Sequence, residues 1–482
     1  MTRFALLTLA ATVAFPAAAY AQVSSPLPTT STVFQTPAAP AAGAAGPTLK
    51  LSGYDRVRWV SQVNYDLNAA AVTDNWYSFS DIRSTLSLET VWDQWKVMTS
   101  VDLAGTDFDE GGLMGFDQAP RQRPFNLMVR QLYLDYKQAD LGLTAQIGRI
   151  PARLGLGIVS SINRDAFRVA KTLDFVGLPQ SNLTGVWVRG AKGLTQQADH
   201  LPQPPSYVTV APGVSGTTAT NDPNGQPHEL NTYVLALNSS IIPAHRLQAF
   251  VAQQMDFSQP GTYPQKRYVD VNLDGGSGPW RYGAEAVALL GQGPTAAGAR
   301  QDLNSFALLA TGTYKLGALE LGLTAGRGGG DVNPGDTVNN GFQALFLDES
   351  AFAYNHLFGD DLHGFNGTDA SIGWGAGLNN VTFLQPSLSY TFTPELTSSL
   401  SYTKHFTTAP VYAGSGVLGR TATASTALAS NVGDEVDARV AYKLGVATIY
   451  GAASTFMPGD VFANPGLANA ASKLEVGTEV RF

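Results

Sequence analysis

From residue 49 onward, apolar and polar positions alternate with a period of two. In residues 76–92, Ile82, Leu86, Leu88 and Trp92 fall on one face and Asp81, Arg83, Ser87 and Glu89 on the other. Residues 95–103 repeat the pattern, with Trp95, Val97, Val101 and Leu103 against Lys96, Ser100 and Asp102. Successive side chains of a strand point to opposite faces, so each segment predicts a strand with one apolar and one charged surface. A soluble sandwich alternates in the same way. The connections separate the two. Very short links (Asp93-Gln94, 138–140, 275–279, Leu316-Gly317, 393–395, Leu444-Gly445) alternate with long ones (104–124, 150–182, 328–379, 407–433). Short periplasmic turns and long external loops are the pattern of an outer-membrane barrel. Aromatics collect beside the short links (Trp92, Trp95, Tyr136, Tyr314, Tyr390, Phe392, Tyr442), as in an interfacial girdle.

The predicted strands are 51–65, 76–92, 95–103, 126–137, 141–149, 183–192, 229–239, 246–257, 266–274, 280–290, 305–315, 318–327, 381–392, 396–406, 434–443, 446–456 and 472–482. If all short turns lie on one side, 183–192 and 229–239 run in the same direction, and one strand is missing between them. Ser206–Val210 (SYVTV) is the candidate, which gives an all-β transmembrane antiparallel barrel of 18 strands, with 16 as the fallback.

The N-terminus sets the compartment. Arg3, the apolar stretch Phe4 to Phe15 and Ala19-Tyr20-Ala21 form a secretory signal over residues 1–21, with cleavage expected before Gln22. Residues 22–48 are a Pro/Ala/Ser/Thr-rich lead-in, and the barrel is expected over 49–482. Composition agrees: 44% of residues are hydrophobic and only 14% charged, against about 25% charged in soluble domains. The chain has no cysteine, which excludes disulfides, thiolate metal sites and cysteine nucleophiles.

Three stretches resemble the alginate export family of outer-membrane channels: QLYLDYKQADLGLTAQIGRIPARLGLG followed by INRDAFRVAKTLDFVGL (131–157 and 162–178), FQALFLDESAFAYNHLFGDD (342–361), and VGDEVDARVAYKL with FMPGDVF (432–462). The departures are Gly148-Arg149-Ile150, where the family has Gly-Arg-Gln, and a Pro-rich insertion at 193–228. The resemblance implies an 18-stranded channel that passes acidic saccharide, and favours a monomer over a trimer.

Charge placement supplies the candidate chemistry. Residues 121–189 hold ten Lys or Arg and four Asp, a local +6, which leaves the rest at −14 within a total of −8. A pore works by rings of charge at constrictions. The alternation places Arg56, Arg58, Arg83, Arg189, Arg281 and Arg439 on inward faces. Arg153, Arg164, Arg168 and Lys171 lie on the 150–182 loop, whose apolar residues Leu154, Leu156, Ile158 and Val159 let it fold into the lumen. Arg149 and Arg130 fall on the apolar phase, where they snorkel or are turned inward by a bulge. The arginines have candidate counter-charges in Asp81, Glu89, Asp135, Glu285, Glu435 and Asp437, with Arg83 expected to pair with Asp81 or Glu89. These side chains predict an anion pathway; full pairing predicts a weakly selective general porin instead. The acidic loop residues fit no calcium-loop spacing. An embedded hydrolase needs a Ser beside a His, and Ser401 with His405 is the nearest pairing. The expected partners are outer-membrane lipid, a small or polymeric anionic solute, and the barrel-assembly machinery through the C-terminal Phe482. No enzyme activity, cofactor, metal or nucleic acid is expected; the pI of about 5.3 disfavours the last.

Overall fold

A computed structural model of the chain describes residues 47–64, 76–106, 126–190, 230–256, 264–294, 300–333, 336–345, 354–358, 377–413, 427–462 and 469–482. The strands are β1 (Thr48–Val63), β2 (Trp76–Trp92), β3 (Trp95–Thr106), β4 (Asn126–Gln138), β5 (Leu143–Leu154), β6 (Ser160–Thr172), β7 (Ser181–Gly190), β8 (Leu230–Ser239), β9 (His245–Asp256), β10 (Gln265–Ser277), β11 (Trp280–Pro294), β12 (Arg300–Leu316), β13 (Leu319–Gly328), the two-residue β14 (Val338–Asn339), β15 (Val381–Thr391), β16 (Leu396–Tyr412), β17 (Leu428–Leu444), β18 (Ala447–Pro458) and β19 (Ala471–Arg481). Each crossing strand pairs antiparallel with its neighbour in sequence, and β19 returns to pair with β1 from Tyr54↔Arg481 to Val63↔Ser472. The short β14 lies in the loop after β13 and pairs parallel with β12 through two residues without crossing the wall, so 18 strands form a closed barrel. Closure is what the membrane requires: every backbone N–H and C=O of the wall pairs with another strand, and no edge faces lipid.

The alternation does what the sequence predicts. Leu86, Leu88, Leu235, Leu237, Val269, Val271, Leu321, Leu323, Leu474 and Val476 are exposed on the outer wall. Between them, Asp102, Asp135, Asp270, Glu285, Glu435 and Glu475 are buried on the inner one. At the short-turn end, aromatic pairs stand side by side, Trp95 with Tyr136 and Trp280 with Tyr314, each at 4.6 Å between centroids.

The seam is closed by the last residue. Gly53 N–H donates to the Phe482 carbonyl at 2.9 Å, and Phe482 N–H donates back to the Gly53 carbonyl at 3.2 Å. The Phe482 ring lies over Gly53 so closely that any Cβ there would collide with it.

The strand missing from the parity count is β6. The sequence reading treated 150–182 as one loop, whereas β5 runs on to Leu154, turns in five residues and returns as β6. β7 then pairs directly with β8 through ten residue pairs, so no strand stands between them. Ser206–Val210 lies outside the described residues and is not needed for closure. The error has a physical cause: β6 reads SSINRDAFRVAKT, whose inward side carries Arg164 and Arg168 and whose outward side carries Asp165, so apolar alternation is weak.

Candidate functional site

Among the described residues, two segments leave the wall and enter the lumen. The first is the tip between β5 and β6. Leu154, Leu156, Ile158 and Val159 are all buried there, as their apolar run predicts. The tip turns at Gly155, where φ is +60°. A side chain at this position would strike the Glu285 carboxylate. The tip is held against distant strands: Gly155 N–H donates to Gln248 Oε1 on β9 at 2.9 Å, and Leu156 N–H to Glu285 Oε2 on β11 at 2.7 Å. Arg153 folds back to the Leu156 carbonyl at 2.5 Å, facing Glu285 and Asp274.

The second segment belongs to the connection between β13 and β15. Residues 342–345 run along β9 and β10: Gln254 donates to the Leu345 carbonyl at 2.8 Å and Tyr268 to the Gln343 carbonyl at 3.0 Å. Residues 354–358 lie against β15 to β18. Tyr354 stacks on Phe383 at 4.0 Å and Phe358 on Phe456 at 4.9 Å. Glu435 on β17 anchors them. Its carboxylate accepts His356 N–H at 3.1 Å, Leu357 and Phe358 N–H at 2.7 Å each, and Asn355 Nδ2 at 2.8 Å. The two inward segments meet where Leu345 N–H donates to the Val159 carbonyl at 2.9 Å. Together they narrow the lumen.

The closed wall has solved counterparts. The fold matches crystal structures of the outer membrane protein OpdK from Pseudomonas aeruginosa (10% identity, 90% of this chain and 99% of that one, TM-score 0.51), of OccK8 (OprE) from the same organism (12%, 90% and 98%, 0.51) and of a BenF-like porin from Pseudomonas fluorescens Pf-5 (13%, 90% and 99%, 0.52). The chain has the outer-membrane porin fold. A further structure of this fold is OpdK with vanillate (11%, 90% and 98%, 0.50). No protein-family model and no curated protein matches the sequence.

Within this porin barrel, most of the charged residues expected at the pore do face inward. Arg83 bonds Asp102 at 2.7 Å. The Asp81 side chain lies outside the described residues, and Glu89 is taken by Lys96 at 3.4 Å. Arg130 joins the same Asp102 at 3.0 Å, turned inward by a bulge where Ser100 pairs with Gln131 but Val101 with Val129. Arg58 pairs with Glu475 at 2.9 Å, and Arg439 lies 3.8 Å from Glu479 and over the Tyr450 ring. Arg56 stands opposite Arg83 across the β1–β2 ladder. Arg164 and Arg168 are on the inner phase of β6, with buried Arg168 facing Asp135. Asp437 accepts the Ser401 hydroxyl at 3.3 Å. Arg281 is exposed on the inner phase at the short-turn end of β11.

Three expected pore residues lie elsewhere. Arg149 shares the outer phase with Ile147 and pairs with the exposed Asp165 at 3.7 Å. Arg189 follows Leu183 and Trp187 on the outer face of β7, because the phase of that strand is set by its large apolar residues. Lys171 sits at the short-turn rim over the Phe175 ring. The four loop cations therefore form no single ring: they divide between the inward tip, β6 and the rim. His405 is buried against Asn355, while the Ser401 hydroxyl donates to Asp437, so the two do not pair with each other.

What emerges is a lumen with two unlike arcs. Inward cations (Arg56, Arg58, Arg83, Arg130, Arg164, Arg168) outnumber the inward Glu89, Asp102 and Asp135 on β1 to β6, whereas on β9 to β11 Asp256, Asp270, Asp274 and Glu285 outnumber Lys266 and Arg281. Asp256, Asp270, Lys266, Tyr268 and Gln254 were not singled out in the sequence, although the apolar run Phe342 to Phe346 inside a long loop was a usable signal for a segment needing burial.

Proposed function

We propose that this chain is a passive outer-membrane channel for small hydrophilic solutes carrying a carboxylate, acidic saccharides first among them. The carrying observation is the unequal division of the inner wall, with arginines along β1 to β6 beside a constriction made by the two inward segments. Guanidinium groups stay charged and present a planar fork to carboxylates, which suits stepwise passage of an anion. Vanillate, seen with OpdK, is itself a carboxylate, and the resemblance to alginate export channels supports a uronate. With its lumen narrowed by two segments, the barrel suits short solutes better than a polymer. The channel needs no cofactor and performs no reaction.

Pairing of Arg83, Arg130 and Arg58 with carboxylates favours the second reading, a weakly selective general porin. The test is the joint replacement Arg153→Ser, Arg164→Ser and Arg168→Ser. At an effective dielectric of about 20, one charge at about 4 Å is worth about 4 kcal/mol before offsets. Block by uronate oligomers should weaken at least several-fold and selectivity move toward cations. Unchanged block would leave the general porin.

A further inference from the structure

The outer wall carries a charged patch that the channel reading does not use. On β12 to β16 the outward row is apolar from the short-turn end upward: Leu308 and Phe306 on β12, Leu321 and Leu323 on β13, Leu388 and Leu384 on β15, and Leu400 and Tyr402 on β16. Toward the loop end of this band, Arg327, Thr382, Lys404 and Thr408 share the outward phase with Phe306 and Phe406, the last apolar residues of the row on β12 and β16. Arg327 pairs across the ladder with Leu308 on one side and Thr382 on the other, and Thr382 pairs with Phe406. With strands about 4.8 Å apart and about 6.8 Å between same-face residues, the Arg327 and Lys404 backbones lie roughly 12 Å apart, with the hydroxyls of Thr382 and Thr408 in the same patch.

The two cations are held differently. Lys404 is fixed by Asp434 at 2.7 Å and Asn431 at 2.9 Å, with the Tyr402 hydroxyl donating to the other Asp434 oxygen. Its ammonium stands 5.5 Å from the Phe406 ring. Arg327 is exposed, rests 5.8 Å over the Phe306 ring, and has no carboxylate partner among the described residues. A cation on an aromatic face keeps most of its charge available. At the edge of the apolar band a lipid-facing Arg costs about 0–1 kcal/mol, rising to about 2–4 at the midplane, so an uncompensated guanidinium here calls for an anion from the membrane. The loop end is opposite the short periplasmic turns and so faces the outer leaflet, whose lipid is a phosphorylated glycolipid.

We propose that Arg327 and Lys404, with Thr382 between them and Thr408 hydrogen-bonded to Thr382 on its loop side, form a binding site for the phosphate of an outer-leaflet lipid headgroup. Arg327 supplies the bidentate fork and Lys404 a point charge, while the acyl chains lie along Leu384, Leu388 and Leu400. A lipid is favoured over a second copy of the chain because the row below the cations is apolar on each of these strands.

The test is native mass spectrometry of the detergent-purified full barrel with bis-phosphorylated lipid A, its dephosphorylated form, or inorganic phosphate. The wild type should retain the phosphorylated lipid preferentially. R327Q, which removes the bidentate charge-assisted pair and leaves a neutral amide donor in its place, should lower that retention about tenfold, and R327K should recover part of it. R327Q leaves no partner stranded, so folding should hold, read as unchanged single-channel conductance; K404Q, which strands Asp434, serves only as a second variant. Equal retention of dephosphorylated lipid, equal retention by R327Q, displacement by millimolar inorganic phosphate alone, or a dimer that R327Q dissolves would each overturn the proposal.

Discussion

Glu435 is the residue whose loss should most change the behaviour of the pore. Its carboxylate gathers three backbone N–H groups and the Asn355 amide, at 2.7 to 3.1 Å, and so ties residues 355–358 to the wall. Each hydrogen bond to a charged group contributes about 1.5–3 kcal/mol, but four sharing one acceptor do not add. Relief of repulsion from Asp437, two residues along the same face, offsets part of the loss. A net cost of about 3 kcal/mol is a reasonable central value, or roughly a 150-fold rise in the undocked fraction. Burial of Tyr354, Leu357 and Phe358, worth about 1.5–3 kcal/mol each, keeps the segment docked most of the time. Single-channel recording of Glu435→Ala should therefore show the wild-type main level with frequent excursions to higher conductance. Glu435→Gln, which keeps one acceptor oxygen, should fall between. If Glu435→Ala folds and its traces are as quiet as wild type, this segment does not narrow the conducting path.

The other predictions concern the wall. Gly53→Val should displace the Phe482 ring and weaken the β1–β19 seam, read as loss of heat-modifiable folded protein on cold gels; deletion of Phe482 should act in the same direction, and unchanged folding of both would remove the closing role given to that residue. Gly155→Ala, at φ +60° and against Glu285, should loosen the β5–β6 tip and raise conductance noise, whereas equal noise would mean that the tip tolerates the side chain. Arg149→Gln, on the outer phase beside Asp165, should leave the reversal potential untouched; a shift would place Arg149 back in the pore.

Where the sequence could be read, one physical signal was dominant. Strands such as β8 (LNTYVLALNS) and β19 (ASKLEVGTEVR) put large apolar groups on lipid and polar groups on the lumen, so phase and face followed from the letters. The signal failed where the chain obeys a second demand. β6 carries charge on both faces, so its alternation is faint, and the parity argument placed the missing strand at Ser206–Val210. The alternation reading places Arg189 inward, whereas Leu183 and Trp187 set the phase that turns it outward; charge at a strand end is tolerated outside the apolar band. For the site, the inward fate of Leu154 to Val159 was legible because an apolar run cannot stay in solvent. The partners of that run were not. Glu285, Gln248 and Glu435 are brought to the inward segments from strands about 80 to 130 residues away in sequence by closure of the barrel, and no local spacing records such contacts.

The most direct test of the anion-pathway account is the reversal potential of the purified wild-type channel in a planar bilayer under a tenfold KCl gradient. The Debye length at physiological salt is about 8 Å, so charges at the constriction act on ions there while those in the wider lumen are screened. Arginines on β1 to β6 and at the inward tip predict a potential of the sign given by chloride carrying more current than potassium. A potential of zero, or of the sign set by potassium, would contradict it.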